Sequence, residues 1–138
     1  GTVRTLEPSM EVQIFERMGE IVQNIAKANR VKASLTIDKG TPVTFNDQKL
    51  FDDMLPTLKR VAGKENVLII PAMTNAEDFA FFQKEIPGLY FLIGGCPVGM
   101  DPNKAAPHHS PDFYVDDSGM LLGMKAMSSL ALDYLHNN

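Results

Sequence analysis

The chain has 138 residues, of which 44% are hydrophobic and 22% charged, and its formal net charge is −4. These values are typical of a globular chain with one ordinary domain or parts of two, and they provide no basic face for nucleic acid. No apolar run approaches the roughly 20 residues of a transmembrane helix, and no secretory signal is visible. The single cysteine, Cys96, excludes an internal disulfide.

The N-terminal segment predicts a strand followed by a helix. Residues 2–6 have β propensity, and Pro8 ends this strand and suits the start of a helix. Ser9 is the expected N-cap of an amphipathic helix over residues 10–29. Apolar side chains recur there at three- and four-residue spacing, as on one face of a helix.

A second strand is predicted at residues 31–38, where apolar and polar residues alternate. The order β-α-β corresponds to about half of a small two-layer α+β unit whose sheet has an open face. The pattern changes after Pro42, so a first domain is predicted at residues 1–42.

The remaining residues, 43–138, alternate predicted helices and strands. The first of these helices is expected to begin after a cap at Asn46 or Asp47 and to end at Gly63. Pro56 lies inside the pattern, which predicts a kink or a break just before it.

Two wholly apolar strands are predicted at residues 67–70 and 89–93, with a helix over about residues 76–85 between them. Strands of this kind usually lie in a sheet that helices cover on both faces. A last helix is expected to be capped within residues 116–118. The order α-β-α-β-α predicts a layered α/β domain.

Two adjacent histidines, His108 and His109, lie in a loop rich in glycine and proline. In extended backbone their side chains would point to opposite sides, so at most one would face a given site. Imidazole is the commonest metal ligand, but a metal site needs three or four protein ligands, and the chain has no HExxH, CxxC or second histidine cluster. The pattern leaves open two surface histidines or one ligand with partners elsewhere.

Two further positions allow both a structural and a functional interpretation. Glu77 and Asp78 are expected to open a helix, where carboxylates stabilise the N-terminus, and the preceding Asn75 lies where backbone amides can reach a ligand. Arg4 is either a solvated edge residue or a clamp for a carboxylate, which guanidinium matches bidentately.

Three segments occur in order along the chain: GTVRTL at residues 1–6, NAEDFA at residues 75–80 and HHSPDF at residues 108–113. In this order and with these gaps they resemble the C-terminal half of the M20 metallopeptidase family, closest to the amidohydrolases that cleave N-acyl amino acids. The resemblance covers essentially the whole chain. It implies a layered α/β catalytic domain interrupted by a smaller α+β, ferredoxin-like lid domain that often dimerises.

The resemblance also implies roles for particular residues. His109 would bind a metal ion, Arg4 would hold the substrate carboxylate, and Glu77 and Asn75 would line the substrate site. Asn75-Ala76 stands where the family commonly has Gly-Ser, which bears on substrate preference. Two divalent ions are implied, zinc first, with manganese or cobalt as alternatives, and they would activate a bridging water and polarise the scissile carbonyl. The general base and other ligands would lie in an N-terminal half outside this chain.

The predicted function is metal-dependent hydrolysis of N-acyl amino acids or small peptides, by an enzyme of which this chain is a fragment, inactive alone. The alternative is a non-catalytic dimerisation or peptide-binding module of the same fold, because half a lid leaves an open sheet edge and an apolar face. A small-molecule substrate and a homodimer through the lid are expected, with neither nucleic acid nor membrane as partner. Any targeting signal would precede Gly1, and a cytoplasmic location is favoured.

Overall fold

A computed structural model of the chain describes residues 1–137, and its regular elements there are helical. The α-helices are α1 (Pro8–Ala28), α2 (Gln48–Ala62), α3 (Phe79–Gln83) and α4 (Met120–Asn137). The 3₁₀-helices are the three-residue turns Lys64–Asn66, Pro102–Lys104 and Asp117–Gly119. None of the helices within residues 1–137 is long and apolar enough to cross a membrane.

The chain divides into two compact units. Unit 1 comprises residues 1–46 and 70–90 and contains α1 and α3. Unit 2 comprises residues 47–69 and the residues that follow Tyr90, and it contains α2 and α4. The domain boundary after Pro42 stays a prediction.

Residues 1–137 contain no β-strand, so the strands predicted at residues 2–6, 31–38, 67–70 and 89–93 are wrong for this chain. A strand exists only where a neighbouring strand takes up its backbone hydrogen bonds, whereas alternation and apolar runs record only a tendency to be buried. Leu68 and Ile69 are 76% and 71% exposed, so no layer covers this apolar run. The described chain therefore matches the predicted α/β class in its helices and not in a sheet.

The start of α1 is set by Pro8 rather than by Ser9. Glu7 occupies the N-cap position without a side-chain bond to the helix, and Pro8 is the first helical residue. The predicted cap at Ser9 is wrong because proline, with its fixed φ and no N–H, is suited to the first helical position. Ser9 therefore lies inside the first turn.

Both ends of α2 follow the predicted signals. The carboxylate of Asp47 accepts a 2.8 Å hydrogen bond from the Leu50 backbone N–H, and Gly63, with φ of 89°, ends the helix. The helix continues through Pro56, so the predicted break is wrong, and the alternative of a kink stays a prediction. Proline removes a single backbone hydrogen bond, and the buried neighbour Met54 holds this part of the helix by packing.

The helix predicted at residues 76–85 is reduced to the five residues of α3. Its entry is a tighter turn, because the Ala80 N–H bonds to the Glu77 carbonyl and the Phe81 N–H to the Asp78 carbonyl, each three residues back. Asp116 caps the 3₁₀ turn Asp117–Gly119 that directly precedes α4, and not α4 itself: its carboxylate accepts a 2.9 Å hydrogen bond from the Ser118 N–H.

A polar cluster joins α2 to α4 in unit 2, where these two helices form the most extensive contact between described elements. Thr57 is only 4% exposed, and its hydroxyl donates a 2.5 Å hydrogen bond to Oδ2 of Asp133. Arg60 donates to the same oxygen at 2.6 Å. The Thr57 bond first, and then the Arg60 bond, hold the pKa of Asp133 below its ordinary value.

Replacing Thr57 by valine removes this donor and is expected to lower the urea midpoint of unfolding at pH 7. Because the pKa of Asp133 is lower in the folded than in the unfolded chain, the carboxylate stabilises the folded state above its ordinary pKa. This contribution is lost as the pH falls through the lowered pKa, so the difference between the two proteins should shrink below about pH 4. Ser128→Ala, on the exposed side of α4, is the control; a difference that stays constant down to pH 3 would contradict the expectation.

Candidate functional site

Arg4 contacts the segment that precedes α3 in unit 1. Its Nη1 donates a 2.9 Å hydrogen bond to the backbone carbonyl of Thr74, 70 residues along the chain. A guanidinium has five N–H donors, so this bond leaves capacity for a further acceptor. The contact holds a cationic group beside the residues that follow Thr74.

The segment after Thr74 contains two of the predicted substrate-binding residues. Asn75 is exposed, and Glu77 is partly buried in the turn that leads into α3. The turn is anchored by Ala80, which is 1% exposed and whose N–H bonds to the Glu77 carbonyl at 3.1 Å. Unit 1 therefore places Arg4 beside the short segment that contains Asn75 and Glu77.

Glu77 acts electrostatically on a residue that the sequence analysis missed, Tyr90. Partial burial of Tyr90, and then the charge and hydrogen bond of Glu77, raise the pKa of the tyrosine above its ordinary value. The ring of Tyr90 also lies against Phe79, with 5.9 Å between the ring centroids.

Asn46 is a second residue that the sequence analysis missed, since it was considered only as a helix cap. The Tyr90 N–H donates to Oδ1 of Asn46 at 2.7 Å, and Nδ2 of Asn46 donates to the Tyr90 carbonyl at 2.8 Å. Because Asp47 caps α2, the amide of Asn46 is available for this contact. The sequence does contain a signal that could have identified Asn46: it has two consecutive residues of the N-cap type, Asn46 and Asp47, where a helix needs only one.

His109 belongs to unit 2 and lies in a tight turn. The Ser110 N–H bonds to the Pro107 carbonyl at 3.2 Å, and His109 has a φ of 65°, in the left-handed region. The argument from extended backbone for opposite side-chain directions therefore does not apply to this pair. Both histidines are exposed, and the ring of His108 packs edge-on against Phe113 with 4.6 Å between the ring centroids.

The motif resemblance implies a metal centre with several protein ligands. Among residues 1–137, no group of three or more His, Cys, Asp or Glu side chains is placed to hold an ion. A catalytic zinc site uses three protein ligands. The described part of the chain therefore does not fit a complete metal centre, and His109 would need ligands from elsewhere.

Comparison with known proteins gives one family match, to peptidase family M20/M25/M40 over residues 4–133. This range contains Arg4, Asn75, Glu77 and His109. No solved structure matches the chain.

Three curated relatives illustrate the similarity. A hydrolase of Synechocystis sp. is 30% identical over 139 residues, which cover 99% of this chain and 35% of the relative. An N-acetyldiaminopimelate deacetylase of Leuconostoc citreum is 29% identical, with 96% of this chain and 32% of the relative covered. An IAA-amino acid hydrolase of Arabidopsis thaliana is 25% identical, with 98% and 30% covered. The chain thus spans about a third of the length of these relatives.

Proposed function

Because the chain belongs to peptidase family M20/M25/M40, we propose that it is part of a hydrolase that cleaves the amide bond of N-acyl amino acids or small peptides. The observation that carries this proposal is the family match over residues 4–133, which confirms the resemblance seen in the three sequence motifs. Two relatives support the substrate class, since their names state action on N-acetyldiaminopimelate and on IAA-amino acids.

In this proposal Arg4 binds the free carboxylate of the substrate, and Asn75 and Glu77 line the same site. The bond from Arg4 to Thr74 supports this assignment, because it keeps the guanidinium beside the segment that contains both residues. Guanidinium binds a carboxylate through two parallel hydrogen bonds, which fix the orientation of the ligand as well as its position.

His109 is proposed as the metal ligand that this chain contributes, since family members are in general metal-dependent. Its exposed side chain in a tight turn is compatible with a ligand that faces residues outside the described chain. The other ligands and the general base are proposed to lie in a further part of the polypeptide. The two proposed ions are zinc, with manganese or cobalt as alternatives.

Family membership implies an α/β peptidase fold, within which we assign residues 1–42 to half of the lid domain and residues 43–138 to the catalytic domain. A homodimer through the lid is proposed as well. Ile21 and Ile25 of α1 support it, because they lie one helical turn apart, are 51% and 59% exposed, and form apolar surface that a second copy would cover. A cytoplasmic location is likewise a proposal.

The purified 138-residue chain is expected to release no amino acid from N-acetyl or N-benzoyl amino acids in the presence of zinc, manganese or cobalt. It should also retain no stoichiometric zinc after dialysis, because one imidazole does not hold a catalytic ion. Released amino acid is measured by mass spectrometry and bound metal by elemental analysis. The gene product that includes any upstream segment, assayed in parallel, should hydrolyse these substrates.

The outcomes separate the proposals. Metal-dependent turnover by the chain alone, lost in His109→Ala, would contradict the incomplete centre. Absence of turnover in the longer gene product would contradict the hydrolase itself. A monodisperse dimer without metal uptake would then favour the non-catalytic module.

A further inference from the structure

Asn46 fixes the backbone of Tyr90 in unit 1 through a reciprocal pair of hydrogen bonds. Oδ1 of Asn46 accepts from the Tyr90 N–H at 2.7 Å, and Nδ2 of Asn46 donates to the Tyr90 carbonyl at 2.8 Å. Opposite residues of an antiparallel sheet exchange the same pair of bonds through their backbones. Neither Asn46 nor Tyr90 is exposed, so water competes less for these bonds and the position of Tyr90 is set.

A second side-chain amide, that of Gln83, joins the same two parts of the chain. Its Oε1 accepts a 3.1 Å hydrogen bond from the Phe45 N–H, and its Nε2 donates to the Gly88 carbonyl at 3.3 Å. Gln83 is the last residue of α3. Residues 45 and 46 therefore hold both the end of α3 and the segment that returns from it to Tyr90.

Phe79, the first residue of α3, packs on this returning segment. Its ring centroid is 5.9 Å from that of Tyr90. Gly88 is buried and allows the close approach, since a Cβ there would lie 3.2 Å from Cε1 of Phe79 and 2.7 Å from Cγ of Gln83. Because a helix of five residues is not stable by itself, these contacts determine where α3 lies.

The position of α3 in turn sets the turn that leads into it. The Ala80 N–H bonds to the Glu77 carbonyl at 3.1 Å, and Ala80 is 1% exposed. Further back along the segment, the Thr74 carbonyl accepts the 2.9 Å hydrogen bond from Arg4. A displacement of α3 would therefore displace residues 74–77 and change where they lie relative to the guanidinium.

We propose that Asn46 is a positioning residue for residues 74–77. Through the backbone and ring of Tyr90 it holds α3, and α3 fixes this segment relative to Arg4. Asn46 thereby supports recognition of a substrate carboxylate. The proposal rests on the proposed function insofar as Arg4 binds that carboxylate, whereas the dependence of α3 on Asn46 is independent of that function.

Amide hydrogen exchange of the 138-residue chain, followed by NMR, tests whether α3 depends on Asn46. In Asn46→Ala the Tyr90 N–H loses its acceptor and should exchange faster. The N–H groups of Ala80 and Phe81, which form the turn before α3, should also exchange roughly tenfold faster, because the helix opens more readily. Asn29→Ala should leave both unchanged; it is the matched control, since it removes a bond from an asparagine amide to a backbone carbonyl at the end of α1, also in unit 1.

The role in recognition is tested in the gene product that hydrolyses N-acyl amino acids, with an N-acetyl amino acid and its C-terminal primary amide as paired substrates. The amide lacks the carboxylate, so the ratio of the two kcat/KM values measures carboxylate recognition. Asn46→Ala should lower this ratio roughly tenfold, mainly through KM for the acid, because a small displacement of a binding group weakens its contacts with the ligand. In Arg4→Gln, which lacks the proposed clamp, Asn46→Ala should lower the ratio no further.

A second variant at the same position, Asn46→Asp, keeps the size of the side chain and the acceptor for the Tyr90 N–H. It loses only the donor to the Tyr90 carbonyl. Faster exchange at Ala80 and a lower substrate ratio are expected in this variant as well, to a smaller extent. This variant gives the answer if Asn46→Ala does not fold.

Each failure has a distinct meaning. Unchanged exchange at Ala80 and Phe81 in the variants of Asn46 overturns the dependence of α3 on this residue. Faster exchange with an unchanged substrate ratio overturns the role in recognition, and so does an equal fall in kcat/KM for both substrates. If no form of the protein hydrolyses either substrate, the proposed function has failed and the role in recognition with it, whereas the exchange rates still decide whether Asn46 holds α3.

Discussion

Replacing His109 by alanine is expected to lower kcat/KM for an N-acetyl amino acid about 100-fold or more in the longer gene product, with loss of bound metal. The estimate is a lower bound, because removal of a residue that only supports a metal ligand already costs roughly 10- to 100-fold. His108→Ala is the matched control. It should retain most of the activity, because the ring of His108 packs against Phe113 and is not the proposed metal ligand. Kinetics and elemental analysis of the purified variants are the measurements.

A second variant separates the imidazole of His109 from its backbone. The φ of 65° is costly for alanine but tolerated by asparagine, which adopts the left-handed region more readily. His109→Asn should therefore keep the turn and still lose metal and activity. Full activity and metal content in His109→Asn would show that the imidazole is not the ligand, and equal losses in His108→Ala would point to damage of the turn.

Replacing Met54 by alanine is expected to lower the free energy of unfolding of the 138-residue chain by about 2–5 kcal/mol. Met54 lies on α2 in unit 2 and is 3% exposed, so the shorter side chain leaves a cavity in one of the few buried positions of residues 1–137. Met127→Ala is the matched control on α4, where the side chain is 61% exposed and the expected change is within about 0.5 kcal/mol. Urea unfolding followed by circular dichroism measures both.

The control also reports on the surroundings of α4. Met124, Met127 and Leu135 are 63%, 61% and 75% exposed in the described chain, an unusual number of apolar side chains for a helix that already packs on α2. If Met127→Ala destabilises the longer gene product but not the 138-residue chain, additional structure covers this face there. Equal destabilisation by Met54→Ala and Met127→Ala in the chain itself would contradict the assigned burial.

The helices were predictable because their signals are local. Three- and four-residue apolar spacing located α1, α2 and α4, and Asp47 and Gly63 bounded α2 as expected. The errors at the helix level arose where two local signals competed, as with Pro8 and Ser9 at the start of α1. Local sequence was enough to predict these helices, because the backbone hydrogen bonds that form them span only three or four residues.

The order of the three motifs also came from the sequence alone, and with it the family, which the match over residues 4–133 confirms. The motifs name Arg4, Asn75, Glu77 and His109 as candidates, and their roles stay predictions. The motifs do not show which residues each candidate contacts. The fold, by contrast, decided that the candidates differ in setting, with His109 exposed in a turn and Glu77 partly buried beside a tyrosine.

Only the tertiary structure decided which segments lack a partner strand and which residues distant in sequence are in contact. A strand needs a second strand, and period-two alternation at residues 31–38 does not reveal whether one is present. In the same way, Arg4 reaches Thr74 across 70 positions and Asn46 reaches Tyr90 across 44. Such contacts depend on chain folding over distances at which sequence periodicity holds no information, so local pattern determined the helices and long-range packing determined the site.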